Sequence, residues 1–225
     1  ECQREEMNDS GARDVDYVLT TRELGRMIKE AGIDFVSLED EKMDAPLGLG
    51  SGAADIFANT GGVMEAALRT AYEIVTGKQL PLENLHVKPV AGLEGIKEAS
   101  LVIQGTVPAW SFLEGVQVNV AVAHGLANAR RLLEIIKRGE KSYHFIEVMT
   151  CPGGCIGGGG QPRFTDDSVR LKRIEAIYKE DEGKALRKSH ENEAVQQLYK
   201  EFLGAPLGEK SHHLLHTKYK PKPAV

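Results

Sequence analysis

The chain has 225 residues, of which 41% are hydrophobic and 27% charged, the balance of a globular protein long enough to bury a real core as one or two domains. Its 28 Lys and Arg against 33 Asp and Glu leave a net charge of −5, so no basic surface argues for nucleic acid; no run of about 18 apolar residues argues for a membrane. Three cysteines, an odd number without a framework of spacings, argue against an oxidised scaffold, and the first residues lack the charged and apolar regions of a signal peptide.

Residues 1–14 are polar and charged, and Val15, Tyr17, Val18 and Leu19 then predict a short strand. Thr20-Thr21-Arg22-Glu23 is a capping box, and Leu24, Met27, Ile28 and Ala31 share one face of a helix that Gly32 ends. Glu39 to Asp44 is an acidic, solvated loop. Gly48-Leu49-Gly50-Ser51-Gly52-Ala53 lacks the Lys-Ser/Thr pair of a phosphate loop and the third glycine of a dinucleotide fingerprint, so it reads as a flexible approach to Phe57. Val63 to Thr76 is a helix with the stripe Met64, Ala67, Leu68, Ala71, Ile74 and Val75, capped by Gly77. Gly61 and Gly62 open it, and its first N–H groups are expected to stand free toward a nearby anion.

Leu85 to Leu93 and Ala99 to Gln104 read as strands of a sheet edge or hairpin. Trp110 reads as packing, and His124 as a cap or a catalytic group. Val116 to Val122 alternates like a strand, Leu126 to Lys137 has helical spacing ended by Gly139, and Phe145 to Met149 is a strand again. That is a βαβ unit, which makes its two strands parallel. After Pro162 come amphipathic helices at Asp167 to Lys179 and Asn192 to Phe202, joined by a charged connection from Asp181 to His190. His212 and His216 stand four apart but lack a metal-protease pattern, which leaves them on the surface or in packing.

In open α/β sheets ligands gather beyond the carboxyl ends of the strands. There the chain places Cys151-Pro152-Gly153-Gly154-Cys155-Ile156 followed by Gly157 to Gly160, Gln161 and Pro162. A C-x3-C pair is open to a disulfide, to zinc or to iron–sulfur ligation. A disulfide leaves the glycine run unexplained, a zinc site wants a second pair that this chain lacks, and Gly158 stands where a radical-type triad needs its third cysteine. Iron suits the pattern best, because thiolates are soft ligands and glycine lets backbone N–H groups approach an anionic cluster.

The run Glu147-Val148-Met149-Thr150-Cys151-Pro152-Gly153-Gly154-Cys155, followed by Gly158-Gly159-Gly160-Gln161-Pro162, resembles the third cluster-binding signature of the iron-only ([FeFe]) hydrogenases. Phe57-Ala58-Asn59-Thr60-Gly61-Gly62-Val63-Met64-Glu65-Ala66-Ala67-Leu68-Arg69 is similar to another stretch of that family, which has Gly and usually Ala or Val where this chain has Ala58 and Asn59. Glu1-Cys2-Gln3-Arg4-Glu5-Glu6-Met7 resembles the end of its second signature, and the likeness continues to Ser211-His212-His213-Leu214-Leu215-His216-Thr217.

The resemblance implies an α/β catalytic lobe, mainly parallel sheet flanked by helices, over residues 1–165, incomplete at its amino-terminal side. A helical, small-subunit-like extension follows over 166–225. It implies reversible interconversion of H2 with protons and electrons at a [4Fe-4S] cubane linked to a two-iron subcluster. Cys151 and Cys155 would be two of four cysteine ligands, Cys155 bridging to the two-iron unit, with Met149 and Phe57 lining its pocket. The implied partners are the missing amino-terminal part or a partner subunit, and ferredoxin or an NAD(P)-linked carrier. A cytoplasmic location is expected, with periplasm and hydrogenosome as alternatives. A hydrogenase-like iron–sulfur assembly factor, a sensory hydrogenase and a dithiol switch are the rival readings.

Overall fold

The structure is a computed structural model that describes residues 7–8, 11–42, 44, 50–80 and 92–216. The likeness at Glu1 to Glu6, the start of the Gly48 loop, most of the strand expected at 85–93, and Thr217 lie outside the described residues.

Among the described residues the sheet has three strands in the order β1 (Ile96–Val102), β2 (Gln117–His124), β3 (Phe145–Met149). β1 runs antiparallel to β2, with Ile96 opposite Ala123 and Val102 opposite Gln117; β2 runs parallel to β3, with Val120 opposite Phe145 and His124 opposite Met149. The crossover between the parallel pair is the helix Leu126–Lys137, as the sequence pattern required. The α/β class is therefore borne out, with one parallel and one antiparallel pairing.

β2 lies at the centre and is buried on both faces. Its valines and alanines alternate by face: Val120 and Val122 pack with Met64 and Leu68, whereas Ala121 and Ala123 pack with Leu132 and Ile136. In order along the chain the α-helices are α1 (Thr21–Glu30), α2 (Gly52–Asp55), α3 (Gly62–Thr76), α4 (Leu126–Lys137), α5 (Asp167–Gly183), α6 (Glu193–Leu198) and α7 (Glu209–Leu215). α3 thus covers one face of the sheet and α4 the other. Gly77 ends α3 with φ 66°, its N–H on the carbonyl of Glu73, as expected of a helix cap.

A third cluster, Ala53, Ile56 and Ala66 with Ile177 and Tyr178, joins α2 and α3 to α5. At its centre Arg69 is fully buried, 2.7 Å from Glu65 and 2.9 Å from Asp181, and Arg187 reaches Asp181 at 2.6 Å. Burial alone would push the Asp181 carboxyl up, but Arg69 and Arg187 hold it below the usual carboxylate range. The charged connection is partly interior: Asp181 is 0% exposed and Lys188 5%.

The capping box of α1 forms as expected, Thr20 accepting from the N–H of Glu23 while the Glu23 carboxylate accepts from the N–H of Thr20. The strand expected at Val15 to Leu19 does not form. No described strand lies beside it, and Tyr17 and Val18 are 88% and 74% exposed. The apolar face of α1 is likewise uncovered by the described residues, with Leu24 and Met27 exposed.

Candidate active site

β2 and β3 end side by side, at His124 and Met149, and the loop that carries both cysteines leaves from that edge. Gly125 N–H donates to the Met149 carbonyl at 2.8 Å, which closes the ends of the two strands together. His124 then braces the loop. Its Nδ1 accepts from Gly153 N–H at 3.2 Å and its Nε2 faces the Leu93 carbonyl at 3.0 Å. Both bonds form only in the neutral tautomer with its hydrogen on Nε2, so His124 supports the loop as a hydrogen-bonding brace.

The loop winds through successive tight turns, Gly154 N–H on Cys151 C=O, Gly157 N–H on Gly154 C=O and Gly158 N–H on Cys155 C=O, each at 3.0 Å. Two glycines are demanded by this path. At Gly154, φ is 92° and ψ −156°, and a Cβ there would lie 2.8 Å from the Ala58 carbonyl oxygen, the Thr60 nitrogen and Met149 Sδ alike. At Gly157 a Cβ would lie 2.0 Å from the Pro152 carbonyl oxygen.

The Phe57 to Arg69 stretch meets the cysteine loop at Gly153 and Gly154. Thr60 N–H donates to Gly153 C=O at 3.0 Å, and the turn Ile56–Ala58 packs on the turn Cys155–Gly157. Glu147, one residue pair before the strand end, accepts from Gly61 N–H at 2.6 Å and from Met64 N–H at 2.8 Å. The amino terminus of α3 is therefore not free, contrary to the expectation from sequence. A carboxylate from β3, 6% exposed, occupies the positive end of the helix.

Lys97 on β1 completes the support. It is 6% exposed, and its ammonium donates to the carbonyls of Gly92, at 2.8 Å, and Thr60, at 3.2 Å. Burial lowers its pKa to about 8 against the opposing pull of Glu147 and Glu94. The far side of the loop is held by the cap of α1: Arg22 N–H donates to Gly160 C=O at 3.2 Å and its guanidinium to Gly159 C=O at 2.9 Å. Arg173 on α5 reaches Ile156 C=O at 2.6 Å.

Of the residues singled out by sequence, the structure brings the elements of Met149, Cys151, Cys155 and Phe57 to one edge of the sheet. Cys151 is half-buried, Cys155 exposed, and both thiols are free. Met149 is half-buried, and Phe57 is 46% exposed. Glu147 and Lys97 were missed as supporting groups. Their signal was present: each is a charged residue inside an otherwise strand-like run, Phe145-Ile146-Glu147-Val148-Met149 and Ile96-Lys97-Glu98-Ala99.

The site suits a soft metal group. Two unpaired thiols stand on a backbone that glycine keeps close and bare, and beside them Asn59, 1% exposed, and Thr60, 2% exposed, have side-chain polar atoms without a hydrogen-bond partner among the described residues. A separate trio, Glu73, His190 and Glu191, has ligand atoms within 4.8 Å of one another, but both carboxylates already share Lys188, 2.5 Å from Glu73 and 3.1 Å from Glu191.

Comparison with known proteins agrees with this geometry. The family model described as the iron only hydrogenase large subunit, C-terminal domain, matches residues 1–159, and that of the iron hydrogenase small subunit matches residues 167–222. The chain belongs to the iron-only hydrogenases. It is 51% identical over 220 residues to the NADP-reducing hydrogenase subunit HndD of Solidesulfovibrio fructosivorans, spanning 97% of this chain and 35% of that protein. To iron hydrogenase 1 of Clostridium pasteurianum it is 44% identical, spanning 98% of this chain and 37% of that protein. An apo [FeFe]-hydrogenase of Chlamydomonas reinhardtii superposes with a TM-score of 0.78 at 42% identity, over 97% of this chain and 59% of that one. The cytosolic iron-sulfur assembly component 3 of Rattus norvegicus is more distant, 31% identical over 92% of this chain. This hydrogenase chain thus spans about a third of the length of the first two relatives. No helix among its described residues is long and apolar enough to cross a membrane.

Proposed function

We propose that this chain forms the carboxyl-terminal wall of a hydrogenase active site that interconverts H2 with two protons and two electrons. The observation that carries the reading is the meeting of the two signatures. Ala58, Thr60 and Met149 close on Gly154 at the ends of β2 and β3, while Cys151 and Cys155 stay free on either side of it.

In this reading Cys151 and Cys155 would supply two thiolate ligands to a [4Fe-4S] cubane linked to a two-iron subcluster, with Cys155 as the residue that would serve both parts. When bound, that group supplies the redox chemistry. The chain's own residues grip, orient and shelter: His124, Glu147 and Arg22 hold the loop in shape, and Met149 and Phe57 offer apolar walls that limit water. Two of four ligands reside here, so the remaining two come from an amino-terminal part of the same protein or from a partner subunit. The relatives' greater length supports that division of labour. A boundary near residue 165 between the cluster-bearing lobe and the helical extension is supported by the separate family matches on either side of it. Ferredoxin, an NAD(P)-linked carrier or both would exchange electrons, in the cytoplasm.

The test is iron and sulfide analysis with infrared spectroscopy of the full protein. Bands of CO and cyanide on iron are expected, and replacement of Cys155 by Ser removes them together with H2 turnover. The 225-residue piece alone gives no turnover. The likeness to the assembly component favours one rival, a protein that carries iron–sulfur clusters without the two-iron unit. A fully iron-loaded protein without CO and cyanide bands establishes that rival and overturns the hydrogenase reading. A sensory hydrogenase keeps the bands and differs in slow turnover.

A further inference from the structure

Asn59 is at odds with its surroundings. It is 1% exposed, and neither its side-chain nitrogen nor its side-chain oxygen makes a hydrogen bond among the described residues. A buried polar group left unpaired is costly, and an apolar residue of the same shape avoids that cost. The backbone of Asn59 is already committed: its N–H donates to Ile56 C=O and its C=O accepts from Gly62 N–H, both at 3.0 Å. Only the side chain is left over.

Its place gives that side chain something to do. Asn59 stands between Ala58 and Thr60, whose backbone atoms both touch Gly154, the residue immediately before Cys155. Three backbone N–H groups on this side of the loop are already taken, since Glu147 occupies those of Gly61 and Met64, and Gly153 C=O that of Thr60. Among the described residues, the buried side-chain donors left without a partner beside the loop are the Asn59 amide, the Thr60 hydroxyl and, on the α5 side against Gly157, Arg170 Nε; of these Asn59 and Thr60 lie on the segment that packs on Gly154.

We infer that the Asn59 side-chain amide donates a hydrogen bond to the anionic iron group held at Cys151 and Cys155, and by doing so sets that group's reduction potential. This rests on the ligand reading above. A donor aimed at sulfide, thiolate or cyanide favours the more negative, reduced state, so it raises the potential. Asn59 is accordingly a positioning residue for the metal group.

The experiment uses the full protein in two forms, one holding the cubane alone and one complete, each as wild type, Asn59→Leu and Asn59→Ala. Leu fills the space without a donor, and Ala removes donor and volume. The cubane's potential is read by an EPR-monitored titration and the complete form by infrared spectroscopy. Both variants are expected to keep wild-type iron. If the acceptor is on the cubane, the reduction equilibrium shifts against the reduced state about tenfold, ~59 mV for one electron. If it is on the two-iron unit, the cubane's potential stays put and the cyanide or CO bands move. An unchanged potential together with unchanged bands in both variants overturns the inference, as does a loss of thermal stability without either spectral change. A wild-type protein that binds no iron instead sinks the ligand reading, a distinct result.

Discussion

Glu147 offers the most direct test of how the site is held. Its carboxylate takes the N–H of Gly61, the cap residue of α3, at 2.6 Å and that of Met64 in the first turn at 2.8 Å, in a place 6% exposed. Each hydrogen bond to a charged group contributes about 1.5–3 kcal/mol, and the charge gains up to about 2 kcal/mol more from the helix dipole. These gains overlap, so Glu147→Ala is expected to destabilise the local structure by roughly 3–5 kcal/mol. Glu147→Gln keeps one acceptor but points an NH2 group at a second N–H; a loss of roughly 2–3 kcal/mol follows. Hydrogen exchange followed by mass spectrometry on the full protein reads this locally. Amides of residues 60–64 should exchange about a hundredfold faster in Glu147→Gln, since each 1.4 kcal/mol is a factor of ten. The strand β1, which shares no hydrogen bond with Glu147, should keep its protection. Wild-type exchange at 60–64 in both variants would refute the claim that a carboxylate from β3 anchors the Phe57 to Arg69 stretch.

Gly154→Ala is expected to cost at least about 2–4 kcal/mol, because an alanine must adopt φ near 92° with ψ near −156° and push back the Ala58 oxygen, the Thr60 nitrogen and the Met149 sulfur. The variant should purify with markedly less iron per chain, and full iron content would show that the loop yields. Lys97 gives a pH signature. Its pKa falls from 10.5 to about 8 in the folded chain, so between those values the unfolded chain holds the extra proton and stability rises with pH. The penalty is fully present below pH 8, gone above 10.5, and on the order of 3 kcal/mol in all. The difference in melting free energy between wild type and Lys97→Met should therefore move in favour of wild type as pH rises from 8 to 10; a difference that is flat across that range contradicts the reading.

What could be read along the chain was local in origin. The βαβ unit, the capping box at Thr20 and the glycine cap of α3 all follow from periodicity and from residues within a turn or two of one another. The misreadings share a different cause. The amino terminus of α3 looked free because its partner, Glu147, lies more than eighty residues away along the chain and arrives only once β3 pairs with β2. Asp181 to His190 read only as a charged connection, because nothing in its own residues names a partner far back along the chain; Asp181 finds Arg69, and with it Arg187, inside the fold. Val15 to Leu19 has the composition of a strand, but a strand exists only beside another, and among the described residues none is there. The site itself was legible because its chemistry constrains backbone as well as side chain. Cysteines alone would have left zinc and disulfides open, whereas a run of glycines around them is a statement about how close the backbone must come to what they hold.

The polar residues of α3 show why a helix four turns long organises both ends of this molecule. Glu65, Arg69 and Glu73 recur every four residues and so share one face, turned toward the carboxyl-terminal segment. Glu65 meets Tyr178, Arg69 meets Asp181, and Glu73 meets Lys188 and His190. Met64 and Leu68 face the sheet instead. Buried ion pairs such as Arg69 with Asp181 add little net stability over an apolar packing, since desolvation offsets the attraction, but a sliding helix would leave charges unpaired at a cost of about 3–5 kcal/mol each. They therefore fix position. With Glu147 holding the first turn and Thr60 fastened to Gly153 just ahead of it, the setting of α3 along its own axis determines where Ala58, Asn59 and Thr60 stand relative to Cys155. The helical extension carries none of the proposed ligands, yet it reaches the geometry of the metal group twice, directly where Arg173 holds Ile156 C=O and indirectly through the helix it clasps.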